Sequence, residues 1–249
     1  EGGITRMLAL FNDNKPDKVG PVRSGRFYMV DIVDDWRAGF VHFGGPKASN
    51  EWSLYRRFYS ARIKYRLDGT ATSSHFSRDS SRKAPNNAFV NLQAYSATIN
   101  NGAPTWHPMK FSETPTAGNT EVNEISINYS GSNKVKYKYN AEKGGYDRSV
   151  NNVDYVDAAD NTQVNVQNII IQETTQTNYG DVKGHINLDK IGSGKAYFHI
   201  GGKMIEGTWE RPDRAQPTVY KDADGNEINL SVGQTFVQIV TSAVEVKNS

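Results

Sequence analysis

The spacing of apolar and polar positions predicts a mixture of helices and strands in the first part of the chain. Apolar residues recur at helical intervals over residues 27–36, which predicts a helix capped by Ser24 or a neighbour. A largely apolar run at residues 5–11 predicts a buried strand before this helix, and residues 40–43 predict a second strand after it. Strand, helix and strand in this order form the βαβ pattern. Further helices are predicted near residues 50–59 and 87–100.

Beyond residue 112 the pattern changes to short stretches in which apolar and polar residues alternate. The segment SETPTAGNT, residues 112–120, has no hydrophobic periodicity and is predicted to be a linker. Residues 121–129 and 133–140 alternate around a Ser-Gly-Ser-Asn turn, which predicts a hairpin. Several short strands at this spacing indicate an antiparallel sheet or a small sandwich. Further strands are predicted at residues 164–173, 195–200, 203–210, 219–221, 227–230 and 235–240, with hairpin turns at 201–202 and 222–226.

These patterns together predict an α+β protein of two domains. The first, residues 1–112, is expected to be a mixed α/β domain, and the second, residues 113–249, a mostly antiparallel β domain. A chain of 249 residues is long enough for one large domain or two modest ones. The hydrophobic fraction of 37% is low, and 13 Tyr and 10 Phe supply much of it, which suits sheets with aromatic faces.

Composition excludes several classes of chemistry. The chain has no cysteine, so disulfides, thiol catalysis and zinc–thiolate sites are excluded. No stretch approaches 18 consecutive apolar residues, so the sequence predicts no membrane-spanning helix. No pair of histidines has metal-ligand spacing, and the acidic segment at residues 222–227 fails the register of a calcium loop. No metal and no cofactor are therefore predicted.

The net charge of +2 hides an asymmetry between the two parts of the chain. Residues 1–110 hold 16 Lys and Arg against 9 Asp and Glu, whereas residues 111–249 hold 13 against 18. A basic half joined to an acidic half indicates either an anionic ligand for the first half or charge contact between the two. Most of these charges are also compatible with an ordinary solvated surface.

Four segments, in order along nearly the whole chain, carry a resemblance to a known family. The GPVRS-R and EGTW-R elements within them are fairly specific. On these residues the chain resembles the YerB-like bacterial lipoproteins, a family defined by a domain of unknown function. The segments are EGGITRMLALF with KVGPVRSGRFYMVDI in residues 1–32, FVHFGG at 40–45, FSRDSSRKAPNNAF at 76–89, and GSGKAYFHIGGKMIEGTWER with DADGNEINLSVGQTFVQIV in residues 192–240.

The resemblance implies a basic amino-terminal domain and a β-rich carboxy-terminal domain. It also implies an extracytoplasmic protein, anchored as a lipoprotein to the outer face of a Gram-positive cell membrane. Family members begin with a lipoprotein signal and carry a stretch of the form RPIAVMIDN…ADIVYE before the EGGITR motif. This sequence contains neither, so it is expected to begin inside the family's first domain. The resemblance implies no reaction, because the activity of the family is unassigned.

The most distinctive set of polar residues is basic. Arg23, Ser24 and Arg26 precede the predicted helix, and a second group lies in residues 78–87. A glycine-flanked segment that opens a helix presents backbone N–H groups and the positive end of the helix dipole, and arginines there complete a site for phosphate, sulfate or carboxylate. The alternative is that these arginines pair with nearby aspartates and only hold loops in place. The second group comprises Arg78, Arg82, Lys83, Asn86 and Asn87.

A weaker candidate for chemistry is His42, which lies at a predicted strand end before two glycines. With Asp31 or Asp79 as the orienting carboxylate it would form a His–Asp pair, which is typical of general-base sites. No nucleophile motif such as G-x-S-x-G accompanies it. A histidine packed within its strand is the plainer interpretation.

The sequence leads to three functional hypotheses. The first is non-enzymatic binding of an anionic cell-envelope polymer or a small anion by the arginine-rich set. The second is a cell-envelope hydrolase or transferase that uses His42 with an Asp, and the third is a protein-interaction scaffold. A pI near 8.6 and an extracellular setting argue against nucleic acid. Membrane contact is expected only through the lipid anchor.

Overall fold

The computed structural model describes residues 5–12, 15–47, 53–61, 63–99, 108–181 and 184–249. The chain divides into two compact units, Arg6–His107 and a second that comprises Glu1–Thr5 and Pro108–Ser249. Strands outnumber helices and the sheets are mostly antiparallel, so the fold is largely β. The elements of the amino-terminal unit are α1 (Phe27–Asp35), β1 (Phe40–His42), α2 (Leu54–Ser60), β2 (Arg66–Asp68), β3 (Phe76–Arg78), β4 (Ala88–Val90) and α3 (Leu92–Ser96).

The elements described in the carboxy-terminal unit are strands. Most belong to two six-stranded sheets, one in the order β10-β9-β8-β7-β20 with β11 beside β9, the other in the order β17-β16-β15-β12-β19 with β6 beside β16. The strands are β5 (Lys110–Ser112), β6 (Thr120–Glu121), β7 (Glu124–Ser130), β8 (Asn133–Asn140), β9 (Gly145–Val150), β10 (Val153–Asp154), β11 (Asn165–Val166), β12 (Asn168–Glu173), β13 (Gln176–Asn178), β14 (Ile186–Leu188), β15 (Gly192–Ile200), β16 (Lys203–Arg211), β17 (Val219–Asp222), β18 (Asn229–Ser231), β19 (Thr235–Val240) and β20 (Glu245–Asn248).

Apolar side chains from both six-stranded sheets form one core. Ile125 and Ile127 of β7 and Tyr137 of β8 belong to the same buried cluster as Ile169 and Ile171 of β12. Alternate residues of a strand point to opposite faces, so these residues define one apolar face on each sheet, and the two faces pack together as a sandwich. Within the second sheet, β12 lies between antiparallel β15 and parallel β19.

The predicted hairpin turn at Gly201-Gly202 is confirmed. It joins β15 to β16, which pair along nine residues each. Both glycines have positive φ, 58° and 79°. A two-residue turn with positive φ at both positions matches the twist of the strands that it joins, and glycine adopts it without steric cost.

Residues 5–11 do not form the predicted buried strand. They have no regular secondary structure, and Met7, Leu8, Leu10 and Phe11 are exposed, Leu10 to 52%. A strand needs a partner for its backbone N–H and C=O groups. The parallel partner of β1 is β2, which follows it in sequence. The prediction of a βαβ unit from this segment is therefore wrong.

The first two helices lie close to their predicted positions but differ at their ends. α1 has Arg26 as its N-cap residue and no side chain caps it, so the predicted Ser24 cap is wrong. α2 was predicted over residues 50–59 and begins at Leu54 in the structure. Residues 50–52 lie outside the described part of the chain.

The helix predicted over residues 87–100 is divided between a strand and a short helix. Its first part is β4, because the backbone there pairs with β3 and with Val19. The helix α3 follows, and its cap is the Asn91 side chain, whose Oδ1 accepts a hydrogen bond from the N–H of Ala94 at 2.7 Å. Residue 100 lies outside the described residues.

The segment predicted as a linker is held against the carboxy-terminal unit. β5, at its start, pairs in parallel with β18. Further along, Thr116 and Asn229 are joined twice at 2.9 Å: Thr116 N–H donates to the Asn229 carbonyl, and Asn229 N–H donates to the Thr116 hydroxyl. The absence of hydrophobic periodicity therefore marks an extended segment fixed by backbone hydrogen bonds.

His199 is expected to make the stability of the carboxy-terminal unit depend on pH. It is 0% exposed, and its Nε2 lies 3.1 Å from Asn248 Oδ1. Asn248 Nδ2 donates to Met204 Sδ, so Oδ1 accepts from His199 Nε2–H and the Nδ1 atom carries no proton. Burial lowers the pKa of His199 from 6.5 to about 4, because an imidazolium there would lose its hydration.

The unfolded state takes up a proton on His199 near pH 6.5, whereas the folded state does so only near pH 4. The free energy of unfolding should therefore fall as the pH drops through this window, by about 3 kcal/mol in total. Urea denaturation of the wild type and of His199→Gln, each at pH 7 and pH 4.5, measures this. The glutamine side chain does not titrate, so the variant should lose less stability on acidification. An equal loss in both proteins would contradict the prediction.

Candidate functional site

One loop and one extended segment bring most of the predicted basic residues together. The loop, residues 79–87, connects the antiparallel strands β3 and β4. Residues 19–23 run beside β4, and the N–H of Val22 donates to the carbonyl of Ala88 at 2.7 Å. The last residue of this segment, Arg23, therefore lies beside the end of the loop.

Two arginines bind the two adjacent asparagines at the end of the loop. Arg23 Nη1 donates to Asn86 Oδ1, and Arg78 Nη1 donates to Asn87 Oδ1 at 2.7 Å. Each pair uses the amide oxygen of the asparagine, so the groups that remain for a ligand are guanidinium and amide N–H donors. We name these four residues the arginine–asparagine cluster. Its chemistry matches a ligand that accepts hydrogen bonds.

The acidic residue of the loop, Asp79, is bound by a serine and a lysine. Its carboxylate accepts hydrogen bonds from the hydroxyl of Ser81 at 2.5 Å and from the N–H of Ser81 at 3.0 Å, and Lys18 Nζ lies 3.2 Å away. The hydrogen bonds from Ser81 and Lys18 lower the pKa of Asp79 to about 2. Asp79 is therefore ionised near neutral pH, and its ion pair is with Lys18.

Arg82 and Lys83 are exposed in the middle of the loop. The guanidinium of Arg82 lies 5.7 Å from the ring centroid of Phe89, and the ammonium of Lys18 lies 4.8 Å from the same ring. Cations at this distance are attracted to the electron-rich face of the ring. The carbonyl of Lys83 accepts a hydrogen bond from the N–H of Asn86 at 3.0 Å. The loop thus holds two further cations near the cluster.

Arg26 binds backbone carbonyls beside it. Arg26 is buried, and its Nη1 donates to the carbonyls of Ser24 at 3.3 Å and of Gly25 at 3.0 Å. Its guanidinium is turned onto its own backbone segment. The anion site predicted at the start of α1, with Arg26 and Ser24 as ligands, stays a prediction.

His42 is enclosed by aromatic side chains. It is 1% exposed, and its ring centroid lies 5.1 Å from that of Phe40, 5.8 Å from Phe58 and 6.3 Å from Tyr55. Its Nδ1 lies 2.9 Å from the carbonyl of Gly44 and donates to it. Burial lowers the pKa of His42, because an imidazolium here would lose its hydration. The imidazole is therefore a neutral, buried group.

The carboxylate beside His42 belongs to Asp68, its register partner on β2. Asp68 Oδ1 lies 3.9 Å from His42 Nδ1, which is beyond hydrogen-bond distance. Asp31 instead accepts two hydrogen bonds from Arg57, at 3.0 and 2.5 Å. The predicted pairing of His42 with Asp31 or Asp79 is not formed.

Asp68 is a buried site residue that the sequence analysis missed. Its Oδ1 accepts from the N–H of Gly44 at 2.9 Å and from the N–H and hydroxyl of Thr70 at 2.9 and 2.8 Å, and its Oδ2 accepts from the hydroxyl of Tyr55 at 2.8 Å. Burial by itself raises the pKa of Asp68, but these hydrogen bonds outweigh it and lower the pKa to about 2. The sequence signal is the Asp-Gly pair at a strand end, which indicates a turn but no distant partner.

No group of three or more His, Asp or Glu side chains among the described residues could hold a metal ion. No helix in the same ranges is long and apolar enough to cross a membrane.

Two domain descriptions match the chain in order. Residues 1–105 match the amino-terminal domain of DUF3048, a protein of unknown function, and residues 125–237 match its carboxy-terminal domain. The chain with this largely β fold therefore carries both the amino-terminal and the carboxy-terminal domain. The chain is a member of the DUF3048 family, to which the YerB-like sequence motifs pointed.

Two comparisons with proteins of Bacillus subtilis support this assignment. The protein described as "Putative lipoprotein YerB" in strain 168 is 28% identical over 248 residues, which is 96% of this chain and 72% of the relative. A crystal structure of the YerB protein from Bacillus subtilis matches with a TM-score of 0.82 and 26% identity, covering 99% of this chain and 83% of that one. The resemblance is confirmed, and neither description states a ligand or a reaction.

Proposed function

We propose that the amino-terminal unit binds an anionic group of the cell envelope through the arginine–asparagine cluster, without catalysing a reaction. The observation that carries the proposal is the use of both asparagine Oδ1 atoms as acceptors for Arg23 and Arg78. With those oxygens occupied, the cluster offers a ligand N–H donors. A phosphate, sulfate or carboxylate supplies the acceptors that such a site lacks.

The charge around the cluster favours the same class of ligand. The loop, residues 79–87, has two basic residues and one acidic residue, and the acidic residue, Asp79, is paired with Lys18. The cluster arginines therefore keep their positive field, which raises the local concentration of anions. Guanidinium groups also match the planar, two-oxygen edge of carboxylate and phosphate.

We propose the cell envelope as the source of the ligand because of the location implied for the similar Bacillus subtilis protein. The Bacillus subtilis protein is described as a lipoprotein, so we place this protein outside the cytoplasm, anchored by lipid to the outer face of the cell membrane. Anionic polymers of the envelope then lie within its reach. In this proposal the basic mixed α/β part, to about residue 112, is the ligand-binding domain, and the acidic β-rich part is a separate domain.

The hydrolase or transferase alternative has less support. It requires a base that reaches a substrate, and His42 is 1% exposed and surrounded by aromatic rings. Its Nδ1 is used by the carbonyl of Gly44. The carboxylate of Asp68 is 3.9 Å away and is hydrogen-bonded to other groups. A general base is expected within hydrogen-bond reach of the proton that it removes.

Binding to purified anionic cell-wall polymer at low salt tests the proposal. We expect the double variant Arg23→Gln/Arg78→Gln to bind about tenfold more weakly or worse, because hydrogen bonds to charged groups contribute about 1.5–3 kcal/mol each. The matched control is Arg56→Gln/Lys47→Gln, which removes the same charge from exposed positions outside the cluster. Equal weakening in both double variants would reduce the effect to net charge and overturn the proposal.

A further inference from the structure

A row of lysines lies on the outer face of the sheet β10-β9-β8-β7-β20, in the carboxy-terminal unit. Lys134, Lys136 and Lys138 alternate along β8 with Val135 and Tyr137, which are buried in the core. Because alternate residues of a strand point to opposite faces, the three lysines share the outer face. Successive lysines on the row are about 6.8 Å apart along the strand. None of them belongs to the arginine–asparagine cluster.

A serine separates this row from a fourth lysine. In the sheet register Ser126 of β7 lies opposite Lys136 on one side and opposite Lys247 of β20 on the other. The two lysines are therefore about 10 Å apart, two strand spacings, with a small side chain between them. The result is a shallow depression of about 320 Å³ on the sheet surface, lined in part by Lys134, Lys136, Lys247, Ser126 and Asn128.

Three ammonium groups and no carboxylate line the depression. Lys136 pairs with Glu124 at 2.9 Å and Lys247 pairs with Glu245 at 2.8 Å. These pairs are partly or largely exposed, so they contribute little energy and an anionic ligand competes with them readily. Lys134 is exposed and forms no ion pair within the described ranges.

We propose that this depression is a second anion-binding site, which takes phosphate groups of a linear polyol phosphodiester polymer. Lysine ammonium groups bind phosphate oxygens as compact point charges. The hydroxyl of Ser126 adds a hydrogen-bond donor on the floor of the depression. Lys138, further along β8, lies between Glu124 and Asp147 in the sheet register, so the depression ends before it. A chain with one charge per repeat contacts Lys134, Lys136 and Lys247 together, whereas a single small anion contacts one part of this set. The acidic balance of the surrounding half of the chain, 13 basic against 18 acidic residues, makes this basic strip a local feature.

Titration of the full chain with poly(glycerol phosphate) at low salt tests the site. With the arginine–asparagine cluster removed by Arg23→Gln/Arg78→Gln, we expect the addition of Lys134→Gln/Lys136→Gln to weaken the remaining binding by about tenfold and to lower its dependence on salt, since fewer counterions are released. The matched control, Lys195→Gln/Lys203→Gln in the same background, removes two exposed lysines from the other six-stranded sheet and should leave the remaining binding unchanged. Urea denaturation of each variant verifies that it is folded. Equal binding by the lysine double variant and the control would overturn the proposal.

Three further binding measurements distinguish this site from the arginine–asparagine cluster, a polymer from a monomer, and a polyol chain from DNA. The cluster variant Arg23→Gln/Arg78→Gln shows whether the lysine site binds independently. We expect this variant to keep binding the polymer through the lysine site. Loss of all polymer binding in this variant would overturn an independent second site. Monomeric glycerol phosphate should bind far more weakly than the polymer, and equal binding per phosphate would overturn the polymer assignment. Single-stranded DNA of equal charge should compete poorly, and tighter binding of DNA would overturn the choice of a polyol chain.

Discussion

Replacing Asp68 by alanine is expected to lower the free energy of unfolding of the amino-terminal unit by about 3 kcal/mol or more. Its carboxylate is 6% exposed and accepts four hydrogen bonds from Gly44, Thr70 and Tyr55. Alanine leaves the buried N–H of Gly44 and the partly buried hydroxyl of Tyr55 without this acceptor, and each unsatisfied buried group costs about 1–3 kcal/mol. Urea denaturation measures the loss, and hydrogen exchange assigns it to this unit.

The variant Asp68→Asn is the control for shape. Its Oδ1 accepts the same hydrogen bonds from Gly44 and Thr70, and its amide faces the hydroxyl of Tyr55, which can accept. We expect a smaller loss than for alanine, and equal losses in the two variants would contradict the prediction.

Asparagine also removes a pH dependence. The pKa of Asp68 is lowered from 3.8 to about 2, so its charge stabilises the fold above pH 3.8 and this contribution is lost as the pH falls through about 2.

The loss at Asp68 is expected to reach the arginine–asparagine cluster. Asp68 holds the N–H of Gly44, and the carbonyl of Gly44 accepts the N–H of Gly25 at 2.9 Å. One residue earlier in the chain, Phe43 N–H donates to the carbonyl of Arg23 at 3.0 Å. The backbone that carries Arg23 is therefore positioned by the same turn, and anion binding should weaken in Asp68→Ala more than in Asp68→Asn.

Replacing Trp209 by alanine is expected to lower the free energy of unfolding of the carboxy-terminal unit by about 3–5 kcal/mol. The indole is 1% exposed, and its Nε1–H donates to the carbonyl of Glu173 at 2.7 Å. It lies over Gly194, its register partner on β15, where an added Cβ would come within 2.6 Å of Nε1. The ammonium of Lys190 lies 5.3 Å from the ring. In Trp209→Ala the facing residue, a glycine, has no side chain to fill the space that the indole leaves.

Two variants make the Trp209 test specific. Trp209→Phe retains an aromatic ring but loses the N–H donor, so we expect a loss smaller than that of alanine. Phe111→Ala removes an aromatic side chain that is 46% exposed on β5, and it should change the stability by about 0.5 kcal/mol or less. Trp209→Ala with a cost as small as that of Phe111→Ala would show that the indole does not support the core.

Local sequence was sufficient to predict a hairpin where its two strands and their turn are adjacent in the chain. The hairpin of β15 and β16 follows from alternating residues around Gly201-Gly202, since the turn sets the register of both strands. The hairpin of β7 and β8 follows for the same reason. In contrast, β9 was missed because the inward position between Tyr146 and Val150 is Arg148, which is 2% exposed. Its guanidinium lies 4.0 Å from the ring of Tyr155 and 5.1 Å from that of Phe236, and such tertiary contacts account for a charge on the apolar face.

For two apolar segments the secondary structure was predicted wrongly, because nothing in their local sequence distinguishes the predicted structure from the observed one. Residues 5–11 are as apolar as a core strand but are exposed, and Ala88–Val90 is a strand where a helix was predicted. In both cases the deciding factor is whether another backbone segment offers hydrogen bonds, and sequence spacing does not contain that information.

Sequence motifs identified the basic residues of the candidate site, but not their arrangement. The segment GPVRS and the stretch from Phe76 to Phe89 contain Arg23, Arg78, Asn86 and Asn87. Their pairing depends on residues 19–23 lying along β4, a contact between positions more than 60 residues apart. The same limit hid Asp68, because its place beside His42 depends on the register of β1 and β2.

The sequence by itself determined the family, the strand-rich second half and the types of residue in the candidate site. These depend on motifs and on alternation within a few residues, where backbone geometry alone sets which side chains share a face. The tertiary structure alone decided which arginines bind the adjacent asparagines, that Arg26 and His42 are buried, and that three lysines surround a serine on an open sheet. Such arrangements depend on register between strands and on segments distant in the chain, and their energy is the sum of many long-range contacts that no local pattern records.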